Sequence, residues 1–137
     1  MPSADVEIQI PPRPEYVGVL RLALGSLARG AGMDEESIDD LRIAISEACT
    51  TAVMTHEAGD TDEPVIVVWR VDESAVSVEI SGMGSAEAHS RDVDTQGFST
   101  RVAMSEALLK SLVDGYTQLQ DDRVRLTLNL EGRRAEA

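Results

Sequence analysis

Cysteine occurs once, at Cys49, in a chain of 137 residues. A lone cysteine excludes an internal disulfide and a cysteine-based zinc site. No paired histidine or second cysteine is spaced to activate it, so Cys49 reads as a small buried apolar residue of a helix. Aromatic side chains are nearly missing: one Trp, two Tyr and one Phe. Leu, Val, Ile and Ala must therefore fill the core. Basic charge is scarce as well, with 12 Lys+Arg against 25 Asp+Glu and a formal net charge of −13. That deficit argues against direct nucleic-acid binding, which needs clustered Lys and Arg, and against docking on an anionic membrane. It favours solubility and a partner with a positive patch. No run approaches the roughly 20 apolar residues of a membrane span. Met1 to Asp5 has neither the basic start nor the apolar run of a signal peptide. A cytoplasmic protein is expected.

What is present is globular: 42% apolar and 27% charged residues, spread over about one domain's length of chain. Asp5 to Ile10 alternates polar and apolar residues, which predicts a half-buried strand stopped by Pro11, Pro12 and Pro14. Val17, Leu20, Leu24, Leu27 and Ala31 recur at steps of three and four, predicting a helix over 15–31. Asp34 is placed to cap a second helix reaching about Glu57, with Ile38, Leu41, Ile45, Ala48 and Ala52 inward. Its other faces are acidic: ten carboxylates and one basic residue, Arg42, lie between Asp34 and Glu63. Such a face is usually solvated, with a partner surface as the sharper alternative.

Val65–Val71 and Ala75–Ser81 alternate around the turn Asp72-Glu73-Ser74 and predict a hairpin. Residues 82–99 carry no period and predict a long irregular loop, of the kind that serves as a lid or is disordered. Helical spacing returns from Thr100 to Val113. A second hairpin follows, Tyr116–Gln120 and Arg123–Leu130, with Arg123 and Arg125 on its polar side, expected in solvent or else against an acidic partner. The ends, residues 1–4 and 132–137, are expected to fray. His56 and His89 lack metal spacing and are expected exposed at a helix end and in the loop, so no metal site is predicted. Every strand has one polar face. The predicted fold is a single-domain, two-layer α/β sandwich: a mixed sheet with helices on one face.

The second helix contains Glu47 and Thr51, four residues apart on one face. Its segment Leu41–Val53, LRIAISEACTTAV, and the later Ala107–Asp114, ALLKSLVD, are similar to segments of anti-sigma factors of the RsbW and SpoIIAB type. With the order of elements, the chain from about Val6 to Leu130 resembles that family. The resemblance implies the ATPase fold shared by gyrase, histidine kinases and a heat-shock chaperone. It places the family's general-base Glu on Glu47 and its Mg²⁺-binding Asn on Thr51. The adenine-anchoring Asp of the Asp-x-Gly segment falls on Gly82 if Gly84 is the motif glycine, or on Ile80 if Gly82 is. The Gly-x-Gly phosphate loop falls on Ala103-Met104-Ser105, where both glycines are replaced.

Three of the four nucleotide features thus depart from the family pattern. The resemblance implies an anti-sigma factor that sequesters a sigma factor, is released by an anti-anti-sigma partner and forms a homodimer. Its sigma-binding surface would lie around the first helix, where Arg21 and Arg29 are the candidate contacts. With the purine anchor and the phosphate loop changed, kinase activity is expected to be lost and no cofactor is expected. The alternatives are an active serine kinase using Glu47, ATP and Mg²⁺, and a sensor whose altered pocket takes another small ligand.

Overall fold

The structure, a computed structural model, describes residues 4–83 and 98–136. Strand β1 spans Ala4–Ile10 and is followed by a short 3-10 turn, Pro14–Tyr16. Helix α1 (Val17–Gly30) and helix α2 (Glu35–Ala58) come next, then β2 (Val65–Val71) and β3 (Ala75–Ile80). Helix α3 (Phe98–Leu112) leads to β4 (Gly115–Gln118) and β5 (Val124–Asn129). The irregular segment expected at 82–99 falls mostly outside the described residues, as do Gly84 and His89.

The strands form one five-stranded sheet in the order β1-β2-β3-β5-β4. The expected two-layer α/β sandwich is present, but the sheet is antiparallel at every described pairing rather than mixed. The connections explain this. Two helices in succession carry the chain from β1 back to the end it left, so β2 returns antiparallel. The single helix α3 sets β4 running the same way as β3, but β4 lies outside β5, and the two never pair.

Local chemistry ends and starts the helices. The N–H of Met33 donates to Ala28 O at 3.2 Å and that of Gly32 to Arg29 O at 3.0 Å, with Gly32 at φ +86°. This pairing closes α1 with a left-handed residue that glycine adopts without strain. Asp34 caps α2 as expected, its carboxylate accepting from Ser37 N at 2.8 Å. These hydrogen bonds from Ser37 hold the Asp34 carboxyl below its ordinary value.

The core lies between sheet and helices. Leu20 and Leu24 of α1, Ile38, Leu41 and Ile45 of α2, and Val67, Val78, Ile80, Leu126 and Leu128 of the sheet are all closed to solvent. Ala44, Ala48, Cys49 and Ala52 are small and fully buried, which lets α2 sit close to its neighbours. Burial pushes the Cys49 thiol up to about 12, so it stays protonated and inert.

Of the residues expected to fray, 132–137, three are held by hydrogen bonds in the structure. Asp34 N donates to Arg133 O at 2.7 Å, Ala135 N to Gly32 O at 2.7 Å, and the Arg134 guanidinium to Glu73 O at 2.7 Å. The Arg133 guanidinium pairs with Asp114 at 3.1 Å and holds that carboxyl below its ordinary value.

Candidate functional site

Glu47 and Thr51 stand on the side of α2 that meets α3. Glu47 is half-buried on the outer surface, between Ile43, Ser46 and Thr50 on one side and Arg101, Met104 and Leu108 of α3 on the other. Thr51 points inward and is 7% exposed. Its hydroxyl donates to Glu47 O at 3.0 Å, and its oxygen lies 2.7 Å from the Ser105 hydroxyl, which is itself 3% exposed. Thr51 spends its one proton on the carbonyl, so Ser105 donates to Thr51. The two positions that the resemblance assigns to Mg²⁺ and to phosphate therefore bond to each other.

Ala103 does not join them; it is exposed on another face of α3. Helix α3 already begins at Phe98, so Ala103 and Ser105 are its sixth and eighth residues. Only the first four N–H groups of a helix lack an intrahelical partner. The N–H groups at 103–105 are therefore committed to the helix and not turned toward a ligand.

Gly82 follows β3 at φ +71°. A Cβ there would lie 2.0 Å from His56 Cε1. Glycine is required twice over, by its dihedral and by the ring behind it. His56 was expected in solvent; instead it is 6% exposed, with Nδ1 2.7 Å from Ala52 O. The correction comes from packing: the last turn of α2 lies under the exit of β3, and a flat ring fills the space glycine leaves. Ile80, the other position open to the purine anchor, is closed in the core. Neither register offers a carboxylate.

The carboxylate nearest in sequence, Glu79, points to the opposite face of the sheet. It is 5% exposed and accepts from Arg70, from Arg123 at 3.3 Å and from Arg125 at 3.5 Å. Arg123 and Arg125 are expected in solvent, with an acidic partner as the alternative. They remain partly exposed, yet they share Glu79, because the β3–β5 register sets Glu79 directly opposite Arg125. Alternation along one strand shows the face but not the partner, so this cluster had no sequence signal beyond an outward acid on one strand and outward arginines on others.

Of the two candidate partner contacts, Arg21 donates to Ser46 Oγ of α2 at 3.3 Å. Arg29 grips both oxygens of Glu35, at 3.0 and 3.1 Å, across the turn between α1 and α2. Exposed apolar residues cluster on the helical layer: Val19 and Leu22 on α1, Ile43 on α2, Met104 and Leu108 on α3. Among the described residues, no group of three His, Cys, Asp or Glu is placed to hold a metal ion, and no helix is long and apolar enough to cross a membrane.

An antiparallel sheet under a layer of helices, with α2 carrying Glu47 and Thr51 across from α3, defines a class. The sequence model of the histidine kinase-like ATPase domain matches residues 10–100, and the chain belongs to that family. Within it, the chain is similar to serine-protein kinase RsbW of Listeria innocua, 37% identical over 81 residues, 59% of this chain and 52% of that protein. It is 38% identical over 85 residues to serine-protein kinase RsbW of Bacillus subtilis, 61% of this chain and 53% of that protein. The chain spans about half the length of these curated relatives.

Proposed function

We propose that the chain is an anti-sigma factor of the RsbW type that sequesters a sigma factor without phosphorylating anything. An unphosphorylated anti-anti-sigma partner would release it by competition, and it would work as a homodimer in the cytoplasm. The observation that carries the non-phosphorylating reading is the buried Thr51–Ser105 hydrogen bond. A metal–nucleotide complex needs open oxygen ligands on α2 and free backbone N–H groups at the start of the following helix. Here the ligand position is spent on Ser105, the N–H groups lie inside α3, and neither candidate position for the purine anchor, Gly82 or Ile80, is itself a carboxylate. The residues present do not fit ATP and Mg²⁺. Each charge-assisted hydrogen bond so lost is worth about 1.5–3 kcal/mol, and two losses weaken affinity at least a hundredfold.

Glu47 and the likeness to serine-protein kinases favour the opposite reading, a serine kinase. Calorimetry with ATP and Mg²⁺, phosphate-transfer assays on an anti-anti-sigma protein, and co-elution with a sigma factor separate the two. The expected outcome is a stable sigma complex, no saturable nucleotide binding at millimolar concentration and no transfer. Micromolar ATP affinity with transfer that vanishes in Glu47→Ala would overturn the proposal.

A further inference from the structure

A cavity lies beside Gly82, away from the Thr51–Ser105 contact, at the end of the sheet where β3 exits and the β4–β5 turn comes close. It has a volume of about 550 Å³ and is lined by Thr55, His56, Glu63, Ser81, Asp121 and Asp122 among others. The size suits a small molecule. The walls are tied together: Met83 N donates to Asp122 O at 2.9 Å, and Ser81 Oγ accepts from Ile66 N at 2.8 Å.

The polar groups of this lining are mostly acceptors. Three carboxylates, Glu63, Asp121 and Asp122, border the cavity, and no Lys or Arg does so among the described residues. His56 adds an independent sign. It is more than nine-tenths buried, and its Nδ1 is committed to Ala52 O at 2.7 Å. The carbonyl can only accept, so Nδ1–H donates to it, and Nε2 is the ring atom left to meet a ligand. That nitrogen has no partner among the described residues, and a buried polar atom left so is costly unless something meets it. The carboxylates are not grouped to hold a metal ion. An extended donor fits where a point cation does not.

We infer that this cavity binds a small organic cation bearing amine or guanidinium N–H groups, held by Glu63, Asp121, Asp122 and His56. Carboxylates take the charge, and charge-assisted hydrogen bonds fix the orientation. An anionic nucleotide is repelled by the same lining. The inference stands apart from the sigma-binding reading, since it uses neither Glu47 nor the helical surface.

Agmatine, which carries both an amine and a guanidinium, is the probe, titrated calorimetrically into the full chain at physiological salt. Saturable one-to-one binding is expected. The double variant Glu63→Gln/Asp122→Asn should weaken it about tenfold or more. Asparagine tolerates the left-handed backbone of Asp122, φ 57°, so the variant should melt with the unaltered chain. A control, Glu36→Gln/Glu73→Gln, removes the same charge far from the cavity and should leave affinity unchanged. No saturable binding at millimolar agmatine overturns the inference. So does equal weakening in both double variants, which marks general attraction to an acidic surface.

Discussion

Among the described glycines, Gly82 has the closest neighbour to where a Cβ would stand, the His56 ring. The ring occupies the volume where any larger residue at position 82 would place its first carbon, and the positive φ adds a second obstacle. Gly82→Ala is expected to lower stability by about 2–4 kcal/mol, from left-handed strain of roughly 1–2 kcal/mol and overpacking of similar size. Urea unfolding measures it. His56→Ala should relieve the overpacking part, so the double variant should lose less than the two single losses added together. Additive losses would show that ring and glycine do not meet. Glu79 makes a different point at this scale. One carboxylate gathers three guanidinium groups, so its burial on the open face of the sheet is matched by charge on three sides.

Between elements, the informative contact is α2 with α3. Thr51 and Ser105 are a small buried polar pair in the seam between α2 and α3, and their worth depends on both being present. Thr51→Val keeps the shape but strands the Ser105 hydroxyl, with an expected cost of about 1–3 kcal/mol. Adding Ser105→Ala should return part of that loss, because no buried hydroxyl then lacks a partner. Denaturant midpoints of the three variants test this; a double variant weaker than Thr51→Val alone would contradict it.

The elements themselves were readable from periodicity: the strands alternate at β1, β2, β3 and β5, and the helices repeat at three and four. Asp34 announced the start of α2 by its chemistry. The features hidden from the sequence all rest on long-range registration. The burial of His56 needs the exit of β3 above it, and the charge cluster needs β3 and β5 aligned. The antiparallel sheet needs the path of two helices. At the candidate site, the sequence located Glu47, Thr51 and Ser105. It did not show that the last two touch, since they are 54 residues apart.

Over the whole molecule, charge governs the response to acid. Asp34, Asp72 and Asp114 are all held below their ordinary value of 3.8. The causes are hydrogen bonds from Ser37, from Ser74, and from the Arg133 guanidinium, respectively. A carboxyl depressed in the folded state stabilises it above the unfolded value and loses that contribution as pH falls through the folded one. Stability should therefore drop below about pH 4. Relief of self-repulsion among the excess acids works the other way. Comparison with Asp114→Asn isolates the first effect: the gap between the two proteins should be full at pH 6 and narrow toward pH 2.5. A gap that does not change with pH would dismiss the Asp114–Arg133 pair as a source of acid sensitivity.

The stitching of residues 133–135 onto the turn between α1 and α2 and onto the tip of the β2–β3 hairpin has a practical sequel. A fluorophore attached at Ala135 would ride on the far rim of the helical layer, remote from Glu47 and from the acidic cavity alike. Its rotational freedom would then serve as a gauge of how tightly that rim is fastened, and of whether an engaged partner loosens or tightens the clasp.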